Sequence, residues 1–228
     1  MSEGDIVVLT SCTALKREVQ VNGGEPVRST AESLYRGQQH IRLMRGVRAY
    51  RAAGRPAGPL KLRILSAFYG LLPATREVRT YDHTFQGLPL DVIRAQAKNL
   101  RVPEEVGVLL ERPFAMALLL LGDDYLRACE LPDALELGGP TLAFCSPAVA
   151  RRMPSLDRLR IVTVANAEAA RFSCGLIGLK GELGGRALAL LAEAPERLHE
   201  LQDPTIDVLD WLNELPATAI RHDAVPAA

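Results

Sequence analysis

Five apolar runs of strand length, Ile6 to Leu9, Leu60 to Phe68, Phe114 to Leu121, Thr141 to Phe144 and Leu159 to Val164, alternate along the chain with segments of helical character. Such an alternation is the pattern of an α/β domain, in which a mostly parallel sheet carries helices on both faces. The order predicts a single three-layer domain over residues 1–216 and a flexible tail over 217–228. The first long helix is expected to start near Thr30, where Ser29 or Thr30 offers an N-cap ahead of Glu32, and to end in the turn-rich stretch Gly54, Pro56, Gly58, Pro59. Residues 90–111 read as two short helices broken at Pro103. Asp123 and Asn166 read as caps of the helices that follow the third and fifth strands, and 183–193 and 204–215 as amphipathic helices, the latter with the single tryptophan, Trp211.

Composition narrows the class further. With 48% hydrophobic and 24% charged residues over 228 positions, the chain is in the globular range. Cys12, Cys129, Cys145 and Cys174 form neither a C-x-x-C pair nor a zinc-finger spacing with histidine, so no metal or other cofactor is expected. Glu3 and Asp5 ahead of a short apolar run do not make a signal peptide, and no run approaches the roughly 20 residues of a membrane span. A reducing cytoplasm is the expected compartment.

Zero net charge conceals an asymmetry. Between Glu32 and Glu77 there is no acidic residue, while Arg36, Arg42, Arg45, Arg48, Arg51, Arg55, Lys61, Arg63 and Arg76 make the segment +9 against −9 for the remainder. Two readings stand: a surface that attracts phosphate, with Arg36, Arg42 and Arg45 foremost, or a solvated helix whose arginines pair with the acidic remainder.

Ligands of open parallel sheets bind outside the carboxyl ends of the strands. Residues just after each run are therefore the candidates: Thr10, Ser11, Cys12 and Lys16 after the first; Ser66, Tyr69 and Gly70, then Tyr81, Asp82 and His83, after the second; Gly122 to Tyr125 after the third; Asn166, Glu168 and Arg171 after the fifth. A cysteine at a strand end has its thiolate favoured by backbone N–H groups and by a nearby ammonium, and Lys16 supplies that charge if residues 12 and 16 share a helical face. The other reading is a buried, inert thiol beside a surface lysine. Asp82 is a candidate general acid or base, or a turn cap; Asp124 is free for function if Asp123 is the cap.

The string "RILSAFYGLLPATREVRTYD" resembles a segment of the YaaA-like peroxide-stress family, as do "AESLYRGQQH", "LLLGDDYLRAC" and "LRIVTVANAEAARFSCGLIG", in the same order. Cys12-Thr13-Ala14-Leu15-Lys16 is similar to the C-x-x-x-K of the archaeosine synthase catalytic domain, although no Pro-Tyr follows Lys16. The resemblance implies a uracil-DNA-glycosylase-like sheet and a nucleobase, nucleotide or nucleic acid as ligand. It implies Cys12, Lys16 and Asp82 as catalytic residues, with Ser11, Tyr35, Ser66, Tyr69, Gly70, Tyr81, Asp124 and Tyr125 around the substrate. The expected activity is modification of a base or nucleotide by a cysteine nucleophile; the alternative is a non-enzymatic, nucleic-acid-binding stress protein.

Overall fold

The computed structural model describes residues 4–16, 21–22, 25–26, 28–54 and 56–214. The expected tail over 217–228 and Arg55 of the basic segment lie outside the described residues. Six strands, β1 (Ile6–Ser11), β2 (Leu60–Ser66), β3 (Gly70–Pro73), β4 (Met116–Leu120), β5 (Thr141–Cys145) and β6 (Leu159–Thr163), form one sheet in the order β6-β5-β4-β1-β2-β3. All neighbours are parallel except β3, which turns back antiparallel on β2. The chain leaves β1 for β2 on one side and β4 for β5 on the other, so a topological switch point lies between β1 and β4.

All residues of β1, β4 and β5 are buried. Because successive strand side chains point to opposite faces, both faces of the sheet centre must be covered. Two groups of helices cover it. In one, α2 (Gln38–Ala52), which follows the short α1 (Ala31–Leu34), packs along α8 (Leu176–Glu193). In the other, α3 (Leu90–Asn99), α4 (Val102–Glu111) and α5 (Asp123–Cys129) pack on one another. The short α6 (Pro147–Ala150), α7 (Asn166–Arg171), α9 (Leu198–Gln202) and α10 (Val208–Asn213) complete the helices. No helix among the described residues is long and apolar enough to cross a membrane.

The α2–α8 contact is made backbone to backbone. A Cβ on Gly46 would sit 2.0 Å from the Gly185 carbonyl oxygen, and one on Gly181 would sit 1.9 Å from that of Gln39. The amphipathic helix expected over 183–193 therefore starts earlier, at Leu176: its glycines weaken the helical signal, but they permit the approach. Buried Glu182 in the same contact accepts from Arg42 at 2.8 Å and from Arg186 at 2.9 Å.

Several boundaries differ from expectation. The first helix is interrupted at Tyr35–Gly37, where Tyr35 turns extended and Lys16 bridges to it. The break expected at Pro103 falls at Leu100 and Arg101, the latter with φ 55°, and Pro103 sits in the first turn of α4, where a missing N–H costs nothing. Asp123 and Asn166 are first residues of their helices, with Gly122 and Ala165 at the caps. The helix expected over 204–215 is shorter, capped by the Asp207 carboxylate, which accepts from the N–H groups of Leu209 and Asp210.

Candidate functional site

The switch point is where Cys12 stands. Its N–H continues the β1–β2 ladder to the Leu65 carbonyl at 2.9 Å, and the residue is 6% exposed. Its Sγ lies 3.0 Å from the hydroxyl of Tyr125, on the first turn of the helix that follows β4. Phe85 packs edge-on against the Tyr125 ring at 5.1 Å, and Thr84 Oγ1 is 3.3 Å from the same hydroxyl. The Tyr81 hydroxyl is 2.8 Å from Tyr35 Oη and 2.7 Å from Ser66 Oγ, and the two tyrosines are near enough to Cys12 to interact with it electrostatically. Thus Cys12, Tyr35, Ser66, Tyr81 and Tyr125, named one by one from the sequence, meet at one point.

Proton positions follow from the fixed donors. Ser66 Oγ accepts the N–H groups of Phe68 (3.1 Å) and Tyr69 (3.0 Å), so its own proton goes to Tyr81. Thr84 Oγ1 accepts the Gln86 N–H at 3.1 Å and shares a hydrogen bond with the Tyr125 hydroxyl. The Tyr81 oxygen is thus occupied as an acceptor, while the Tyr125 hydroxyl, between Thr84 Oγ1 and Cys12 Sγ, can donate to or accept from either. Burial, reinforced by the nearby cysteine, pushes the Tyr35, Tyr81 and Tyr125 hydroxyls well above the usual phenol range, so all three stay protonated donors.

Lys16 is not on a helix with Cys12. Residues 12–15 are irregular and Lys16 forms an isolated antiparallel bridge with Tyr35, which overturns the shared-helical-face expectation. Its ammonium instead lies over the Tyr81 ring, 4.4 Å from the centroid, and donates to the Ala14 carbonyl at 3.4 Å. Phe68 stacks on the same ring (5.2 Å, 18° between planes) and is 51% exposed, which leaves an aromatic face open at the rim.

Other expected residues fall into distinct places. Ser11 Oγ accepts from the Gly122 N–H at 3.4 Å on the floor of the switch point. Asp124 binds the Gly87 N–H and the Arg127 guanidinium, both at 3.0 Å, and so straps the turn that carries Thr84 and Phe85. Tyr69 braces the backbone of Arg79, and its ring stands edge-on to Phe68 and Tyr81. Gly70 opens β3 with φ 74° and has the Leu100 carbonyl 3.0 Å from where a Cβ would be, so its place is set by the backbone. Asp82 is exposed and makes no hydrogen bond or ion pair among the described residues. Of the phosphate candidates, Arg42 is committed to Glu182, whereas the half-buried Arg36 and Arg45 make no side-chain hydrogen bond or ion pair among the described residues.

Sequence reasoning missed Gln39, whose amide donates to Thr10 Oγ1 (3.0 Å) and to the Leu120 carbonyl (2.7 Å), joining α2 to the ends of β1 and β4. It also missed Thr84 and Phe68. None carries a motif; only the tertiary neighbourhood identifies them. Lys180, Asp123 and Ser146 form a neighbouring half-buried set. Ser146 donates to Asp123 at 2.6 Å and Lys180 to Asp123 at 3.2 Å, and these bonds hold the Asp123 carboxyl below its usual range against the opposing effect of burial. Burial pushes the Cys129 thiol up to about 12, which disfavours its reactive thiolate.

A parallel α/β sheet with a tyrosine-ringed thiol at its switch point is the class that fold and site define. Comparisons with protein-family models, curated proteins and solved structures find no match for the chain, so the bearing on function comes from these residues and their geometry.

Proposed function

We propose that the chain is an enzyme that modifies a nucleobase, a nucleotide or a nucleic acid, with Cys12 as the nucleophile. The observation that carries this reading is the gathering of two hydroxyl chains around one sulfur at the switch point: Tyr125, backed by Thr84, 3.0 Å from Cys12 Sγ, and Tyr81, backed by Ser66, close beside it. Such an arrangement serves a sulfur that bears negative charge during reaction. Sulfur attack on a nitrile or an amidine-like ring carbon forms the S–C bond and moves the π pair to nitrogen, and the thiol proton reaches that nitrogen by way of the Tyr125 or Tyr81 hydroxyl. Lys16, over the Tyr81 ring, strengthens that hydroxyl as a donor. The acid–base role expected of Asp82 passes to the tyrosines, because Asp82 is exposed and unanchored. The open face of Phe68 suits stacking by a planar base, and Arg36 and Arg45 suit its phosphates. The uracil-glycosylase-like architecture and the reducing, cytoplasmic setting implied earlier belong to the same proposal.

The second reading, a nucleic-acid-binding stress protein with a structural Cys12, is favoured by the low exposure of that residue. The two part on one variant. Under the enzymatic reading, incubation with a deazaguanine nitrile adds its mass to the protein, Cys12→Ala abolishes the adduct, and nucleic-acid binding with its salt dependence is retained. Absence of any Cys12-dependent adduct or turnover, with binding intact, favours the second. Mass spectrometry of small molecules and nucleic acid co-purifying with each form identifies the ligand class.

A further inference from the structure

Away from the thiol site, α3, α5 and the segment that begins at α6 enclose a cavity of about 290 Å³. We propose that it is a second ligand site, for a small amphiphilic anion: one carboxylate or phosphate on an apolar body. Its volume is at the lower end of the range typical of small-molecule sites, about 300–1,000 Å³. Leu126 and Val149, 5% and 4% exposed, line it; Leu90, 40% exposed, and Met153 add apolar surface. Three guanidiniums line the same cavity, those of Arg94, Arg127 and Arg152. Arg94 pairs with Glu130 at 2.6 Å and Arg127 with Asp124 at 3.0 Å, while the Arg152 side chain has no hydrogen bond or ion pair among the described residues. The cavity therefore keeps one uncompensated positive charge beside an apolar lining. A neutral apolar ligand leaves that cation unused, and a bare inorganic anion leaves the apolar lining wet; a molecule with both parts matches both.

The site shares α5 with the thiol centre. Tyr125, on Cys12, lies between Asp124, which straps Gly87, and Leu126 and Arg127, which line the cavity. A ligand that bridges α3, α5 and α6 holds this helix in its packed position and so suppresses the opening through which a reagent reaches the buried sulfur. This coupling concerns access to Cys12 and rests on the thiol site being where substrate is met; the binding itself does not.

Calorimetric titration of the full chain with octanoate and with octyl phosphate, against acetate, inorganic phosphate and octan-1-ol, tests the site and separates the two headgroups. At least one amphiphile is expected to bind about tenfold or more tighter than its head or tail alone. Arg152→Glu and Leu90→Asp, both at exposed positions, are each expected to weaken it about tenfold with an unchanged melting temperature. Saturating ligand is expected to slow iodoacetamide labelling of Cys12 by about threefold or more. Headgroup-only binding, no binding, or binding indifferent to Arg152→Glu overturns the site; binding that leaves labelling unchanged overturns the coupling. Labelling reads access to sulfur whether or not the thiol is catalytic, so failure of the enzymatic reading leaves both measurements valid.

Discussion

Tyr125→Phe tests the donor chains with the smallest perturbation, the loss of one oxygen. The ring keeps its edge contact with Phe85 at 5.1 Å, so no cavity opens. What disappears are two hydrogen bonds, one with Cys12 Sγ at 3.0 Å and one with Thr84 Oγ1 at 3.3 Å; Thr84 is half-buried and can turn to another partner. The net stability cost is about 1 kcal/mol, read as a fall in melting temperature of about 2 to 4 °C for a chain of this size. The effect on reaction is larger, because a hydrogen bond to a charged group is worth about 1.5 to 3 kcal/mol, or roughly 10- to 100-fold in rate. The assay is the rate of Cys12-dependent adduct formation by intact-protein mass spectrometry, with thermal unfolding measured on the same sample. A variant that melts normally and reacts as fast as the parent refutes the reasoning, since sulfur would then need no donor from Tyr125.

Removing the carboxylate in Glu182→Ala takes the shared counter-charge from Arg42 and the buried Arg186 in the α2–α8 contact and is expected to cost about 3 to 5 kcal/mol by denaturant unfolding. Gly46→Ala drives a methyl to 2.0 Å from the Gly185 carbonyl; forcing the helices apart is expected to cost about 1 to 3 kcal/mol or more in the same measurement. His40, 2% exposed, donates from Nε2 to the Glu32 carbonyl at 2.7 Å and has no partner at Nδ1 among the described residues, and burial holds its pKa below the ordinary 6.5. The unfolded chain therefore binds the extra proton first: this contribution to stability is full above about pH 6.5 and is lost as pH falls from there toward the depressed folded pKa, by up to about 1.4 kcal/mol per unit. In His40→Phe the pH dependence of unfolding below 6.5 should flatten; an unchanged slope would assign it to other groups.

All five apolar runs became strands of the main sheet; for the three central ones, β1, β4 and β5, continuous apolar sequence is what burial on both faces requires. The sixth, Gly70–Pro73, is not among those runs: four residues that begin with glycine and end with proline make too short an apolar run, and only pairing with β2 makes them a strand. The rim rule located Cys12 and Tyr125 correctly, since both follow strands that flank the switch point. It did not reveal that Tyr81, 15 residues beyond Ser66, returns to bond both Ser66 and Tyr35 beside that sulfur. The Lys16 expectation failed because spacing of four means adjacency only on a helix, and no helix forms there. Arg42 was legible as a cation but not as a paired one, its partner Glu182 being 140 positions away.

The glycine-lined contact between α2 and α8 has a consequence for drift. Where two main chains touch, there are no rotamers to absorb an exchange, so each substitution is transmitted as movement of the whole helix. Since α2 delivers Gln39 to the ends of β1 and β4, that movement arrives at the mouth of the sheet. The opposite layer, built of side chains from α3, α4 and α5, can repack. Tolerance to sequence change is therefore lopsided: one face of this protein acts as a fixed jaw and the other as an adjustable one.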